Sequence, residues 1–201
     1  MSPRNAERDL QMRERRIDQI LDAAREVMAV KGIGSAGIND IAAEAKISIG
    51  NIYHYFSSKE EIFSALLKRG QVGYGKLVAE LAAESGSAVE KLLKLSSAWL
   101  AADNVWTQTI LLVSSRMSEL TSPEEREAIT GRFAANLTPL AAIFEQGIRE
   151  GTLRDGDPLE HAMYFVSFMQ GLVLQQVPGI RVPVALRAER VVSYFRSEKT
   201  E

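Results

Sequence analysis

The sequence predicts an all-α protein of about nine helices, with a small N-terminal helical domain and a larger helical domain after it. Apolar residues recur at intervals of three and four along most of the chain, which is the spacing of amphipathic helices. Several segments begin with a Ser or Asp cap followed by Pro or Glu, the usual signals of a helix start. No segment alternates apolar and polar residues over the length of a strand.

Composition restricts the classes of protein to which the chain can belong. It has 201 residues, of which 46% are apolar and 25% charged, as is typical of a globular protein with a buried core. The absence of cysteine excludes disulfides, thiolate catalysis and cysteine-based zinc sites. No apolar run is long enough to span a membrane, and the start lacks the apolar segment of a signal peptide, so we expect a cytoplasmic protein with no membrane partner.

The first helix is predicted from Ile17, Ile20, Leu21, Ala24, Val27 and Met28, and it ends at Gly32.

Residues 1–70 hold 11 Lys and Arg against 10 Asp and Glu, so attraction to an anion has to come from local placement of charge. The predicted N-terminal arm, residues 1–15, and the residue after it contain Arg4, Arg8, Arg13, Arg15 and Arg16. These arginines indicate either a phosphate-binding arm or a solvated charged tail.

Two short amphipathic helices separated by a tight turn come next. Ile38, Ile41, Ala42 and Ala45 form one apolar stripe, and Ile49, Ile52 and Phe56 form a second, so both helices face one core. This pattern is typical of a helix-turn-helix. The outer face of the second helix then carries small, hydrogen-bonding and amphipathic side chains, which suit a DNA groove: Gly50, Asn51, His54 and Tyr55, with Tyr53 at the edge.

These residues resemble the TetR family of bacterial transcriptional regulators. The match consists of Ile41-Ala42, Ser48, Gly50, Tyr53, Tyr55-Phe56 and Ser58-Lys59-Glu60, within residues 13–67. The resemblance implies a homodimeric, ligand-responsive regulator, a repressor that leaves a palindromic operator in double-stranded DNA when a small, apolar effector binds. It implies no cofactor, no metal and no enzyme activity.

The resemblance also implies two sets of DNA contacts. We expect base contacts from Ser48, Gly50, Asn51 and His54, and phosphate contacts from Tyr53, Tyr55 and Lys59. Asn51 is the strongest candidate for reading a base, because an amide can both donate to and accept from adenine. The alternative is packing on the surface for Tyr53 and a solvated charge for Lys59. His54 and Tyr55 could contact either bases or phosphates, and partial burial is a further alternative for Tyr55.

The chain departs from the family pattern at two positions. Lys46 stands where the turn usually has glycine, and a left-handed conformation costs a non-glycine residue about 1–2 kcal/mol. Either the lysine adopts that conformation or the turn differs. Gly37 stands where the family often has a Ser or Thr cap, so a phosphate contact there would need the backbone.

Later helices are predicted from their caps. Ser58 and Glu61 form a capping box for helix four, and Gly70, Gly73 and Gly75 then interrupt the apolar pattern. We therefore place the domain boundary at 1–70 and 71–201 and interpret these glycines as a compliant joint, or as a delay before the next helix. Further starts are predicted at Ser87, Ser122-Pro123 and Asp157-Pro158, and a last helix over residues 184–196.

The second domain, residues 71–201, is predicted to bind the effector and to form the dimer. Its core residues are also the candidates for an apolar pocket: Trp99, Trp106, Met117, Phe133, Leu140, Phe144 and Tyr164. Polar candidates are Asn104, Thr107, Gln108 and Asn136. The candidates for the dimer interface are Phe168, Leu172, Val192 and Phe195, although packing within one chain is the alternative.

Other functions have weaker support. The segment from Gly32 to Gly37 matches a dinucleotide-binding fingerprint in letters, but a predicted helix precedes it where that fingerprint needs a strand. Asp157, Glu160 and His161 have the chemistry of metal ligands, but a solvated first turn explains them better. An activator or nucleoid-type binder without an inducer, and a helical enzyme or lipid carrier, remain the alternatives.

Overall fold

The computed structural model describes residues 3–103, 105–119 and 121–198, with side chains described from Glu7 onward. Those ranges contain nine α-helices and no strand, apart from one antiparallel bridge between Leu153 and Arg196. The helices are α1 Pro3–Ser35, α2 Ile38–Glu44, α3 Ile49–Tyr53, α4 Lys59–Ala83, α5 Ala88–Ala101, α6 Trp106–Met117, α7 Pro123–Arg149, α8 Pro158–Leu174 and α9 Ala188–Ser193. The predicted all-α fold and number of helices are confirmed.

The chain divides into two compact units, Met1–Lys68 and Arg69–Glu201. In the first unit most of the predicted apolar stripes of α1, α2 and α3 are buried, and Ile20, Ile41 and Ile52 have no exposed surface. Ile49, at the start of the predicted α3 stripe, is 42% exposed. Helix α1 contains a break at Gly32, whose φ of +76° is readily adopted by glycine. Residues predicted as an N-terminal arm are helical from Pro3, so the arginines up to Arg16 lie on α1 and not on an extended segment.

Helix α4 corrects the prediction of a break at the three glycines. It runs without interruption from Lys59 to Ala83, and none of Gly70, Gly73 and Gly75 has a positive φ. A Cβ at Gly70 would overlap the side chain of Gln108, and one at Gly75 would overlap that of Asn136. Two of the glycines therefore allow close packing against α6 and α7, and the predicted interruption of the helix is wrong.

The second unit is built around one apolar cluster, which includes Leu92 of α5, Leu140 and Phe144 of α7, and Phe165 of α8. The predicted caps are confirmed, because Ser87, Ser122 and Asp157 each accept a backbone N–H at the start of α5, α7 and α8.

Helix α9 is shorter than the predicted 184–196. It begins after Arg187 and ends at Ser193, and Arg196 then pairs with Leu153 while Ser197 donates to the Thr152 carbonyl at 3.1 Å. Residues after α9 are therefore bonded to the loop between α7 and α8. Within the described ranges, no helix has both the length and the apolar content needed to cross a membrane.

Candidate nucleic-acid interface and effector site

The turn between α2 and α3 is closed by backbone hydrogen bonds on either side of Lys46. Lys46 adopts the left-handed conformation with a φ of +55°, so the lysine takes the place that glycine usually fills. The amide of Lys46 donates to the Ala43 carbonyl at 3.2 Å, and that of Ile47 donates to the Ala42 carbonyl at 3.0 Å. This pair of bonds is a Schellman motif, which ends α2 and directs the chain into α3.

Ser48 begins α3 as predicted. Its Oγ accepts the backbone N–H of Asn51 at 3.2 Å, and its extended backbone conformation is that of an N-cap. The Asn51 side chain is half-buried, and its Oδ1 is buried with no hydrogen-bond partner among the described residues. For Asn51 to contact a base through both groups of its amide, the side chain has to rotate.

The outer face of α3 is accessible. Gly50, Tyr53 and His54 are exposed, and 55% of Tyr53 remains accessible to solvent. Tyr55 is half-buried, with its ring edge-on to His54 at 5.0 Å between centroids. The guanidinium of Arg13 lies over the Tyr55 ring, 5.4 Å from its centroid, which brings one of the predicted DNA-binding arginines beside the predicted interface.

The start of α4 holds the last predicted DNA contact. Ser58 Oγ accepts the Glu61 N–H at 3.1 Å, as predicted, but the Glu61 carboxylate accepts from the backbone and hydroxyl of Ser57, at 2.6 and 2.7 Å, and not from Ser58. Hydrogen bonds from the Ser57 hydroxyl and amide lower the pKa of Glu61. The Lys59 ammonium donates only one long bond of 3.5 Å, to the Gly34 carbonyl, among the contacts of the described residues.

The start of α2 uses a carboxylate in place of a capping hydroxyl. Gly37 donates its N–H to Asp40 Oδ2 at 3.2 Å, and the Lys31 ammonium lies 2.7 Å from Oδ1 of the same side chain. The hydrogen bond from Lys31, and then that from Gly37, lower the pKa of Asp40. The backbone N–H of Gly37 is therefore occupied, which counts against its use as a phosphate contact in this arrangement.

In the second unit, two buried hydroxyl groups have no hydrogen-bond partner among the described residues: the phenol of Tyr74 on α4 and Oγ of Ser96 on α5. Leaving a buried polar group unpaired costs about 1–3 kcal/mol. Tyr74 packs against Trp99 with 5.0 Å between ring centroids. Burial raises the pKa of Tyr74 far above its usual value, so the phenol remains protonated.

A hydrogen-bonded cluster on α4 and α7 lies one turn of α4 before Tyr74. The buried Gln71 side chain donates to the Ile129 carbonyl at 3.1 Å and accepts from Arg132 Nε at 2.8 Å. Asn136 donates to the Gln71 backbone carbonyl at 2.8 Å. The side-chain nitrogen, side-chain oxygen and backbone carbonyl of Gln71 therefore each have a partner on α7. The hydroxyl of Tyr74 has none among the described residues.

The predicted pocket residues are divided between different environments. Trp106, Leu140 and Phe144 are buried, and Trp99 and Phe133 are half-buried. Met117 and Tyr164 are 79% and 56% exposed, so in this structure neither lines a buried site. Thr107 is buried, Gln108 and Asn136 pack at the α4 glycines, and Asn104 lies outside the described residues.

Comparison with known proteins identifies the family. Residues 20–66 match the family described as bacterial regulatory proteins, tetR family. The fatty acid metabolism regulator protein of Bacillus subtilis is 30% identical over 141 residues, which cover 69% of this chain and 71% of that protein. The chain belongs to the TetR family. The family and the predicted function class, a ligand-responsive DNA-binding regulator of transcription, are thereby confirmed.

Two further relatives agree with this TetR assignment. The transcriptional repressor KstR2 of Mycobacterium tuberculosis is 26% identical over 136 residues, 68% of each chain. The crystal structure of AibR in complex with isovaleryl coenzyme A and operator DNA has a TM-score of 0.62 with 20% identity, covering 89% of this chain and 95% of AibR. At that level of identity, the second comparison supports the TetR fold alone.

The TetR assignment confirms an operator, a small-molecule effector and a second copy of the chain as partners. Of the residues predicted for the interface, Phe168 and Leu172 are half-buried, whereas Val192 and Phe195 lie in the apolar core of their own chain. Phe195 packs on both Phe144 and Phe165, with ring centroids 5.4 and 5.7 Å apart. The exposed apolar surface nearby instead includes Met163, Tyr164 and Tyr194.

Tyr74 and Ser96 are not among the residues predicted for the effector site of this TetR protein. Gln71, Tyr74, Val78 and Leu81 occupy one face of a continuous helix, at intervals of three and four residues. This face is apparent in the sequence only when α4 is continued through its glycines. Within the described part of the chain, no group of three or more metal-ligating side chains is assembled.

Proposed function

We propose that this protein is a cytoplasmic, homodimeric transcriptional repressor that binds a pseudo-palindromic operator and is released by a small, largely apolar effector. The observation that carries the proposal is the accessible outer face of α3, where Gly50, Tyr53 and His54 lie beyond a turn closed by Lys46 and a cap formed by Ser48. Regulation of transcription, and not catalysis, is the activity that this surface supports.

On the DNA side, we assign the outer face of α3 to the major groove, with Ser48, Gly50, Asn51 and His54 at the bases. Gly50 has no side chain, and no neighbouring atom lies within 4 Å of the position that a Cβ would occupy there, so its backbone can approach a base edge closely. Tyr53, Tyr55 and Lys59 are assigned to phosphates, which fix the register of the protein on the duplex but do not read sequence.

Arg13 extends this surface. Its guanidinium remains on the outside of the Tyr55 ring, where it can pair with a phosphate while it holds the ring in place. Cationic and phenolic groups therefore lie beside α3 for backbone contacts, and the weak net charge of the chain does not prevent local attraction to DNA.

On the effector side, the second unit offers aromatic and apolar side chains around two buried hydroxyls. A ligand with an apolar body and one polar group would bury its body among these side chains and hydrogen-bond its polar group to the hydroxyls. The names of the relatives suggest acyl compounds as the first candidates, because one is a regulator of fatty acid metabolism and another binds isovaleryl coenzyme A.

For dimerisation, we assign the exposed side chains of α8 and the residues after α9, with Met163, Tyr164 and Tyr194 joining Phe168 and Leu172. Gly171 is exposed on the same helix, and the absence of a side chain there would let two copies of α8 approach closely. A two-fold arrangement of such helices presents two copies of α3 to the two halves of an operator.

The experiment that tests the proposal is selection of binding sites from random DNA with the purified full-length protein, followed by titration of the selected operator with acyl-coenzyme A thioesters of increasing chain length. We expect one palindromic operator and release by a subset of chain lengths. An operator that is bound more tightly with each thioester would contradict release by these ligands, and failure to enrich any sequence would contradict the proposal as a whole.

A further inference from the structure

We infer that the effector site selects a ligand carrying a hydrogen-bond acceptor, such as an acyl carbonyl or a carboxylate, and that the hydroxyls of Tyr74 and Ser96 donate to it. This inference rests on the proposed function, because it names the chemistry that the ligand-binding unit recognises. It assigns specific roles to two residues whose hydroxyls have no partner among the described residues.

We group the two hydroxyls because each is linked to Trp99, Tyr74 through ring packing and Ser96 through its position on α5. The Tyr74 ring lies 5.0 Å from the Trp99 ring. Ser96 precedes Trp99 by three residues on α5, and residues three apart lie on the same face of a helix. Helix α4 therefore packs its hydroxyl-bearing ring against Trp99, and α5 carries the other buried hydroxyl one turn before Trp99.

Both hydroxyls are available as donors. The Tyr74 phenol stays protonated over the whole physiological range, because burial raises its pKa by disfavouring the charged form. The acceptors one turn away on α4 already have partners, since Gln71 Oε1 accepts from Arg132 and the Gln71 carbonyl accepts from Asn136. Each hydroxyl has one hydrogen to donate and no acceptor for it among the described residues, so a ligand that brings an acceptor pairs these hydrogens.

The charge in this region also favours an acceptor over a cation. The guanidinium of Arg132 is bonded to Gln71 through Nε, and no salt bridge links Arg132 to a carboxylate among the described residues. A quaternary ammonium group has no lone pair to accept either hydroxyl hydrogen, and the positive charge of Arg132 would repel it. The indole of Trp99 then supplies apolar surface for the body of the ligand.

The test uses the full-length protein with Tyr74→Phe, Ser96→Ala and a matched control, Ser97→Ala, whose side chain is exposed on the same helix. The probes share a ten-carbon chain and differ in the polar group: decanoate, decanoyl-coenzyme A and decyltrimethylammonium. Thermal unfolding is measured without probe, and binding of each probe is measured by calorimetric titration.

Without probe, we expect Tyr74→Phe and Ser96→Ala to unfold at the same temperature as the wild type or higher, because each removes a buried group that has no partner. With an acceptor-bearing probe, we expect each variant to bind about 3–10-fold more weakly, the loss of one hydrogen bond. We expect Ser97→Ala to match the wild type in both measurements, and the ammonium probe to bind about 10-fold or more weakly than decanoate.

Four results would overturn the inference. A lower unfolding temperature for Tyr74→Phe or Ser96→Ala without probe would mean that the hydroxyl stabilises the fold. Equal binding of the acceptor probes to all four proteins, or no binding of them to the wild type, would remove the role in recognition, and so would preference for the ammonium probe. Selection of operator DNA by the wild type is scored separately, so failure of the proposed function is distinguishable from failure of this inference.

Discussion

Gly73 and Gly75 lie two residues apart on α4, and replacing each by alanine should change stability in opposite directions. At Gly73 a new Cβ would have no neighbour within 4 Å, so Gly73→Ala should raise the free energy of unfolding by about 1 kcal/mol, the difference in helix propensity. This position is exposed and serves as the matched control for its neighbour.

At Gly75 the same gain in propensity is outweighed by a clash. The new Cβ would overlap Asn136 Oδ1 and lie 3.1 Å from Asn136 Cγ, so that side chain would have to move. Moving it breaks the 2.8 Å bond to the Gln71 carbonyl, which contributes about 1 kcal/mol, and overpacking costs roughly 1–3 kcal/mol more. We expect Gly75→Ala to lower the free energy of unfolding by about 1–3 kcal/mol.

Urea unfolding at equal dimer concentration, followed by circular dichroism, measures both variants, with equal slopes required for the comparison. If the two alanines stabilise the protein equally, the glycines do not mediate packing against α7. If both alanine variants leave stability unchanged but alter the coupling of effector binding to operator binding, the glycines act as a compliant joint.

Three other predictions concern the first unit. Lys46→Gly should raise the free energy of unfolding by about 0.5–1 kcal/mol in the same assay, because relief of the left-handed lysine exceeds the added entropy of the unfolded chain. Asn51→Ala should weaken the free energy of binding to the selected operator by about 1–3 kcal/mol and relax the preference at one base position. Lys59→Ala should lower the affinity for all DNA sequences alike and reduce the slope of log affinity against log salt concentration by about one. Fluorescence anisotropy measures both variants. The folded pKa of Asp40 is lowered, so the stabilising effect of its carboxylate is present above the unfolded pKa near 3.8 and is lost as pH falls through the folded pKa. Asp40→Asn should therefore lose less stability than the wild type as the solution is acidified through that range.

The first unit is predictable because its determinants are local. The apolar stripe from Ile38 to Ala45, the Ser48 cap and the Ser58 cap each depend on residues within one or two turns. Sequence leaves the conformation of Lys46 open, since the cost of about 1–2 kcal/mol is small enough for the surrounding structure to impose.

The second unit is less predictable because its determinants are distant in sequence. Propensity alone predicts a break at the glycines of α4, but packing of Gln108 and Asn136 overrides that weak preference. The end of α9 depends on the pairing of Arg196 with Leu153, far earlier in the chain. The hydroxyls of Tyr74 and Ser96 lack a partner among the described residues because of how the helices pack, and no local sequence pattern predicts this.

Reading of an operator by α3 within a two-fold dimer is tested most directly by hydroxyl-radical footprinting of the selected operator with wild type and Asn51→Ala. We expect two equivalent protected half-sites whose centres lie about 34–36 Å apart, or a multiple of that distance, on one face of the duplex. Protection should weaken at one base position in both half-sites when Asn51 is replaced. A single asymmetric half-site, or an identical footprint and selected sequence for Asn51→Ala, would contradict the account.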